Sequence, residues 1–283
     1  MVAKYKTALA KAFGAQNLGS VPLTLSNFSP LIYGDIYGLQ IDFNNVALAG
    51  TLTGTVSMSN IVQALLVMDN TGKTIYELDG NDLMAMAFYT SNKGVSLSNP
   101  ILSTSAQSFS IRYHLPISMN SQPVVFQITL APYTIVAGAT GGSVGSITVT
   151  AMYSLDGSGK SQVATVKIIK NIYSTAVVGD NELQAILSST SNPVNDIVVR
   201  LTNGAGNNLD NLNYVTFRAS SVVEIEKETL QHFKISDELN YQSGHQAGLY
   251  KLPIEAFIKT GETYLDVNLS ATVNTIIVYQ FTT

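Results

Sequence analysis

Tyr113, His114, Leu115, Pro116, Ile117 returns as Tyr250, Lys251, Leu252, Pro253, Ile254, 137 residues further along a chain of 283. Each copy runs into a polar break, 119–122 in one and 259–262 in the other, and each break leads into an alternating stretch, 124–130 and 263–269. Alternation of apolar and polar residues places one face of a strand in a core and the other outside it. A plan repeated at nearly half the chain length predicts two β-domains of one kind.

The same reading extends outward from the repeat. In the first half it predicts strands at 38–43, 48–58, 62–68, 74–77, 108–115, 124–130, 146–153 and 162–169. In the second it predicts them at 197–201, 213–219, 222–225, 248–253, 264–269 and 275–281. Asp69, Asn70, Thr71, Gly72 reads as a hairpin turn, because glycine takes a positive φ without steric cost. The Gly- and Ala-rich stretch 137–145 reads as a flexible surface excursion. Asp35 and Ile36, with Ile41 to Asn44 after them, are echoed by Asp196 and Ile197, with Leu201 to Asn203 after them. The first unit carries extra residues, with 94–107 as the expected insertion. A short helix is expected in each unit just after a run ending in Glu. Asp79 caps one ahead of Asp82, Leu83, Met84, Ala87 and Phe88, and Glu228 precedes Leu230 and Phe233 in the other. The polar stretch 170–180 marks the boundary, giving domains of 20–175 and 176–283.

Residues 1–19 differ from the rest. Tyr5, Leu9 and Phe13 are spaced four apart, and Lys4 and Lys11 seven apart, which predicts a basic amphipathic helix ended by Gly14 and Gly19. Such a helix either docks on its own domain or lies at an anionic membrane surface, with Lys4, Tyr5, Lys6, Leu9, Lys11 and Phe13 facing the lipid. No carboxylate precedes Asp35. No uninterrupted apolar leader opens the chain, so synthesis and use in a cytoplasm are expected.

Only 12% of residues are charged and 46% are hydrophobic, yet no apolar run reaches membrane-spanning length. A surface this neutral suits a protein that buries much of its exterior against other subunits. Arginine occurs only at 112, 200 and 218, too few to neutralise a row of phosphates, so direct nucleic-acid binding is not expected. The absence of cysteine removes disulfides, thiolate metal sites and cysteine nucleophiles.

The candidate chemical motifs are weak. Gly157 to Ser161 ends like a phosphate-binding loop, but Ser154 stands where that motif needs glycine, and a strand pattern follows, so a hairpin loop is the better reading. Glu224, Glu226 and Glu228 alternate, as paired acid-base carboxylates could, but they precede a helix whose N-terminal dipole they complement. His114, His232 and His245 lack metal-ligand spacing, and Glu228 with His232 reads as a side-chain pair one turn apart. No serine sits in a nucleophile turn. The residues predict no active site, no enzyme and no cofactor; a structural divalent cation is compatible with the chain but not derivable from it.

The Tyr-x-Leu-Pro-Ile pair, the two helix positions after Glu77 and Glu226, and the segment from Lys4 to Phe13 together resemble the double jelly-roll major capsid proteins. The small capsid proteins of membrane-containing icosahedral bacteriophages are the nearest type, corticovirus-like in size and related to tectiviruses and adenovirus. The resemblance implies an all-β fold of two tandem jelly-roll β-sandwiches with short helices and an N-terminal amphipathic helix. It also implies a homotrimer whose six barrels form a pseudo-hexagonal block tiling an icosahedral shell, and a place in the virion after assembly in the host cytoplasm. The implied partners are copies of the chain, neighbouring capsomers, a vertex or penton protein, and an internal lipid membrane or its minor proteins at the N-terminus. The loops of the first unit and 236–248 are expected at the outer face or at the seams. The alternative is a carbohydrate-binding or glycan-processing double β-sandwich, against which stand the absence of Trp, the scattered Tyr and the lack of a converging carboxylate cluster.

Overall fold

The computed structural model describes residues 5–30, 35–53, 58–83, 102–117, 123–154, 167–184, 194–204, 208–219, 222–240, 245, 247–253 and 263–282. They fall into two compact units, one holding the described residues up to 154 and the other those from 167.

The first unit contains β1 (Tyr5–Phe13), β2 (Gln16–Leu18), β3 (Leu23–Thr24), β4 (Ile36–Gly50), β5 (Val62–Asp69), β6 (Thr74–Leu78), β7 (Gln107–Ile117), β8 (Val124–Leu130), β9 (Ala139–Val144) and β10 (Ser146–Ser154). One sheet runs β1-β10-β4-β7, with the far end of β4 continued by β9 and β2; the other runs β3-β8-β5-β6. Strict alternation decides which face is inside: on β8, Val124, Phe126, Ile128 and Leu130 are buried while the residues between them are partly exposed. Phe13 on β1 meets Phe28 edge-on at 5.9 Å, and Phe28 stacks on Phe126 of β8 at 5.6 Å, so aromatic contacts tie the two sheets together.

The second unit contains β11 (Lys167–Ala176), β12 (Gly179–Gln184), β13 (Val194–Thr202), β14 (Leu212–Ala219), β15 (Val222–Thr229), β16 (Leu249–Pro253), β17 (Thr263–Leu269) and β18 (Val273–Thr282). Its sheets run β11-β18-β13-β16 and β12-β17-β14-β15. Val199, Tyr250, Ile276 and Val278 of one sheet share a core with Val215, Phe217, Leu265 and Val267 of the other.

With β2 and β9 set aside, the described residues of each unit form eight antiparallel strands, with strands 1, 8, 3, 6 in one sheet and 2, 7, 4, 5 in the other. That order is a jelly roll, and the chain contains it twice. The repeat lies on the sixth strand of each, Ile254 excepted, which is outside the described residues: Tyr113 pairs with Leu39 of β4, and Tyr250 with Val199 of β13. Leu115 and Leu252 are fully buried, as expected of inward positions, each worth about 2 kcal/mol of burial. Asp35 immediately precedes the third strand of the first roll, and Asp196 lies near the start of the third strand of the second.

The turn at Asp69 is as read. Its Oδ1 accepts from the backbone N–H groups of Thr71 and Lys73, and Gly72 has φ 84°. Asp79 caps the first helix, accepting from the N–H groups of Asn81 and Asp82 at 2.8 Å, while Asp82 reaches back to the Asp79 N–H. Beyond Leu83 that helix lies outside the described residues. The second helix spans Leu230–Asn240, and Thr229 is its cap, its hydroxyl accepting from the His232 N–H.

Four expectations are corrected. Residues 5–13 form a strand and not the N-terminal helix: β1 pairs along its length with β10, and a ladder of interstrand hydrogen bonds outweighs the helix propensity of three alanines. The excursion at 137–145 is mostly strand β9, paired with β2 and β4. Gly142 is there for packing, since a Cβ on it would come within 3.0 Å of Leu48 and 3.2 Å of Leu18. The strand expected at 48–58 stops at Gly50, where φ is 110°. The domain boundary precedes 175, because Lys167–Ala176 pairs with β18 of the second unit.

Candidate functional site

A polar cluster lies in the second unit, around His245. Asp237 and Lys234 come from the Leu230–Asn240 helix, Asp210 from the connection entering β14, and Tyr250 from β16. Gly248 (φ 72°) turns the chain between His245 and Tyr250; a Cβ there would come within 2.8 Å of the Leu209 nitrogen. His245 Nδ1 lies 2.7 Å from Asp237 Oδ2, and Nε2 lies 3.0 Å from Asp210 Oδ1. Tyr250 donates its hydroxyl to Asp210 Oδ1 at 2.7 Å, and Lys234 Nζ stands 3.0 Å from Asp210 Oδ2.

Burial lowers the His245 pKa, but the two carboxylates overcome that and hold it above its ordinary value. Burial likewise raises the Asp210 carboxyl, and hydrogen bonds from His245, Tyr250 and Lys234 reverse this, bringing it to about 2. Each ring nitrogen faces a carboxylate oxygen, an arrangement that favours the imidazolium, which can donate to both. It leaves no ring nitrogen to accept a proton from a substrate, and its chemistry is that of a clasp joining helix, loop and strand. Sequence reading found no carboxylates bracketing this histidine because Asp210 is 35 residues away and Asp237 lies eight away, across the end of a helix.

A second polar surface covers the sheet β12-β17-β14-β15. Arg218 is bidentate to Asp266, at 2.9 and 3.1 Å, and reaches Glu182 at 2.8 Å. Asp180 accepts from Tyr214 and Asn268. These groups satisfy one another across neighbouring strands as an exposed ladder.

The other candidates resolve as follows. Glu228 pairs with His232 one helical turn on, as expected. The alternation of Glu226 and Glu228 is broken by a bulge, with Lys227 at φ 44° between them, so they do not form an aligned carboxylate row. The stretch 157–161 lies outside the described residues, as does 94–101 of the expected insertion. Of the lipid-facing set, Lys4 lies outside the described residues, and Tyr5 and Lys6 are on β1. Leu9 is exposed, Lys11 is exposed with its Nζ 5.9 Å from the Phe13 ring, and Phe13 is buried. Phe13 therefore faces the core and not a lipid surface. The segment 236–240, expected in a loop, completes the helix. Among the described residues, no group of three acidic or histidine side chains is placed to hold a metal ion, and no helix is long and apolar enough to cross a membrane.

No protein family and no curated protein matches the chain in sequence. Solved structures match in fold. The MCP of Sulfolobus Turreted Icosahedral Virus is similar over 99% of this chain and 96% of its own, with 13% identity and a TM-score of 0.67. The quasi-atomic PBCV-1 virus capsid is similar over 99% and 94%, with 11% identity and a TM-score of 0.59. The major capsid protein P2 from Bacteriophage PM2 is similar over 99% and 97%, with 9% identity and a TM-score of 0.56. At these identities the likeness establishes the fold, a double jelly roll running through both units.

Proposed function

We propose that the chain is a viral major capsid protein, a building block whose working parts are its outer surfaces. The observation that carries this reading is the tandem pair of rolls with one strand order, matched from end to end by capsid proteins of several viruses. The charged fraction of 12% supports it, since neutral surface is cheap to bury against neighbours. In this reading three chains join, so that six rolls make a pseudo-hexagonal block. Such blocks tile an icosahedral shell around a lipid layer, with a separate protein at the vertices, and the product resides in the virion after assembly in the host cytoplasm. Lys4, Lys6 and Lys11, with no carboxylate before Asp35, support placing the N-terminal end toward an anionic surface. Residues 5–13 of that end are a strand, so the charge of Lys6 and Lys11 is carried along a sheet edge. Weak contacts repeated over many copies hold such a shell.

Light scattering on the purified chain tests the reading. A stable oligomer at three times the 30.3 kDa chain mass agrees with it. A monomer at every concentration contradicts it.

A further inference from the structure

Eight large aliphatic side chains stand exposed among the described residues, and five of them follow one route. Leu9 and Ile172 lie on the first strand of each roll, and Val21, Val177 and Val178 on the connection from that strand to the opposite sheet. The register makes two of these positions equivalent. In the first unit Tyr113, Leu39, Ala151 and Ala8 stand side by side on four strands; in the second the same row is Tyr250, Val199, Val278 and Asn171. One residue beyond the end of each row are Leu9, opposite Thr150, and Ile172, opposite Ile277, with exposures of 64% and 62%. A β-bulge at Ala10 is what lets Leu9 point outward while Phe13 points in.

Both residues sit on sheet-edge strands, since β1 pairs only with β10 and β11 only with β18 among the described residues. An exposed aliphatic on an open edge invites strand or side-chain contact from another chain, and a protein used as a monomer would be expected to shield it. Here the same exposure is built at two places in one chain. A single unrelated partner would require one such place; copies of a repeated unit, each meeting the next, require it on both rolls.

We propose that the first-strand edges, at Leu9 and at Ile172, are the seams by which one copy of this chain meets another, a proposal that rests on the self-assembling reading above. Their charge fixes the kind of contact. β1 carries Lys6 and Lys11 and β11 carries Lys167 and Lys170, with no carboxylate on either strand. Like edges laid side by side repel, so each edge meets a different, neutral or acidic surface of the neighbouring copy. A head-to-tail contact of that kind is not a twofold pair, and it closes into a ring when the rotation between copies divides a full turn.

The chain has no cysteine, so single variants Leu9→Cys and Ile172→Cys report on these two points alone, with Ala271→Cys in an exposed turn as a control for probe access. Each variant is checked for an unchanged melting temperature, and maleimide labelling is timed in the oligomer and in the dissociated chain. The expected result is labelling slowed about tenfold or more by assembly at both positions, because thiol reaction requires access. If the oligomer forms and labelling at either position is as fast as in the dissociated chain, the edge assignment is overturned and the capsid reading stands. If light scattering on the same samples finds no oligomer, both are overturned.

Discussion

Tyr113 and Tyr250 occupy the same site in the two rolls, each fully buried and each opposite an aliphatic residue of the third strand, yet their hydroxyls meet different surroundings. Tyr250 donates to Asp210, while the Tyr113 hydroxyl finds no hydrogen-bond partner among the described residues. Burial raises both phenols, aided at Tyr113 by the charge of Asp79 and at Tyr250 by its bond to Asp210. The repeat thus keeps the ring, which fills the core, and varies the acceptor. Tyr250→Phe removes a hydrogen bond to a charged group and is expected to cost about 1.5–3 kcal/mol. Tyr113→Phe removes a buried hydroxyl that has no partner among the described residues and is expected to leave stability unchanged or to raise it by up to about 1–3 kcal/mol, the desolvation cost of an unsatisfied group. Urea denaturation of the two variants measures the difference, and equal losses contradict it.

The His245 clasp makes the second unit sensitive to pH. Because its folded pKa lies above the ordinary 6.5, His245 contributes stability that is complete below 6.5 and is lost as pH rises through the raised value. Asp210 has the opposite sign: its contribution is complete above 3.8 and is lost as pH falls toward about 2. Melting temperature in the wild type is therefore expected to fall on going from pH 6 to mildly alkaline solution. His245→Gln is expected to start lower and to show a flatter profile, and parallel profiles contradict the clasp.

Removing residues 1–13 takes away the edge strand of one sheet and the core ring of Phe13. The loss of the buried phenylalanine alone is expected to cost about 3–5 kcal/mol. Calorimetry should show the first unit melting earlier with the second unchanged; an unaltered scan would mean that β1 is not part of the sheet.

Leu115→Asp and Leu252→Asp each place a carboxylate at a position with no solvent exposure. Each is expected to prevent folding of its own unit, since a buried unpaired charge costs several kcal/mol or more. Soluble protein with a wild-type melt at either position contradicts the inward assignment.

How much of this was legible follows from what the physics leaves in sequence. Alternation on β8 and the repeated pentapeptide expose a half-buried strand directly, and Asp79 announces its helix through short-range capping bonds. The first strand is hidden because residues 5, 9 and 13 are spaced four apart, which fits a helical face, while in the strand the bulge at Ala10 puts Leu9 outside and Phe13 inside and so breaks any period-2 pattern. The alanines between them favoured the helix, and only the distant partner β10 decides. β9 was hidden because glycine signals a loop unless one knows that Leu18 and Leu48 crowd Gly142. The clasp could not be seen because its groups converge only once β14, the helix and β16 are in place.

Electron microscopy of the purified oligomer, averaged end-on, shows how the rolls are grouped. Three copies of two rolls each should give a ring of six similar lobes in three repeats. Isolated two-lobed particles, or a ring whose lobes are not paired by chain, would contradict that grouping.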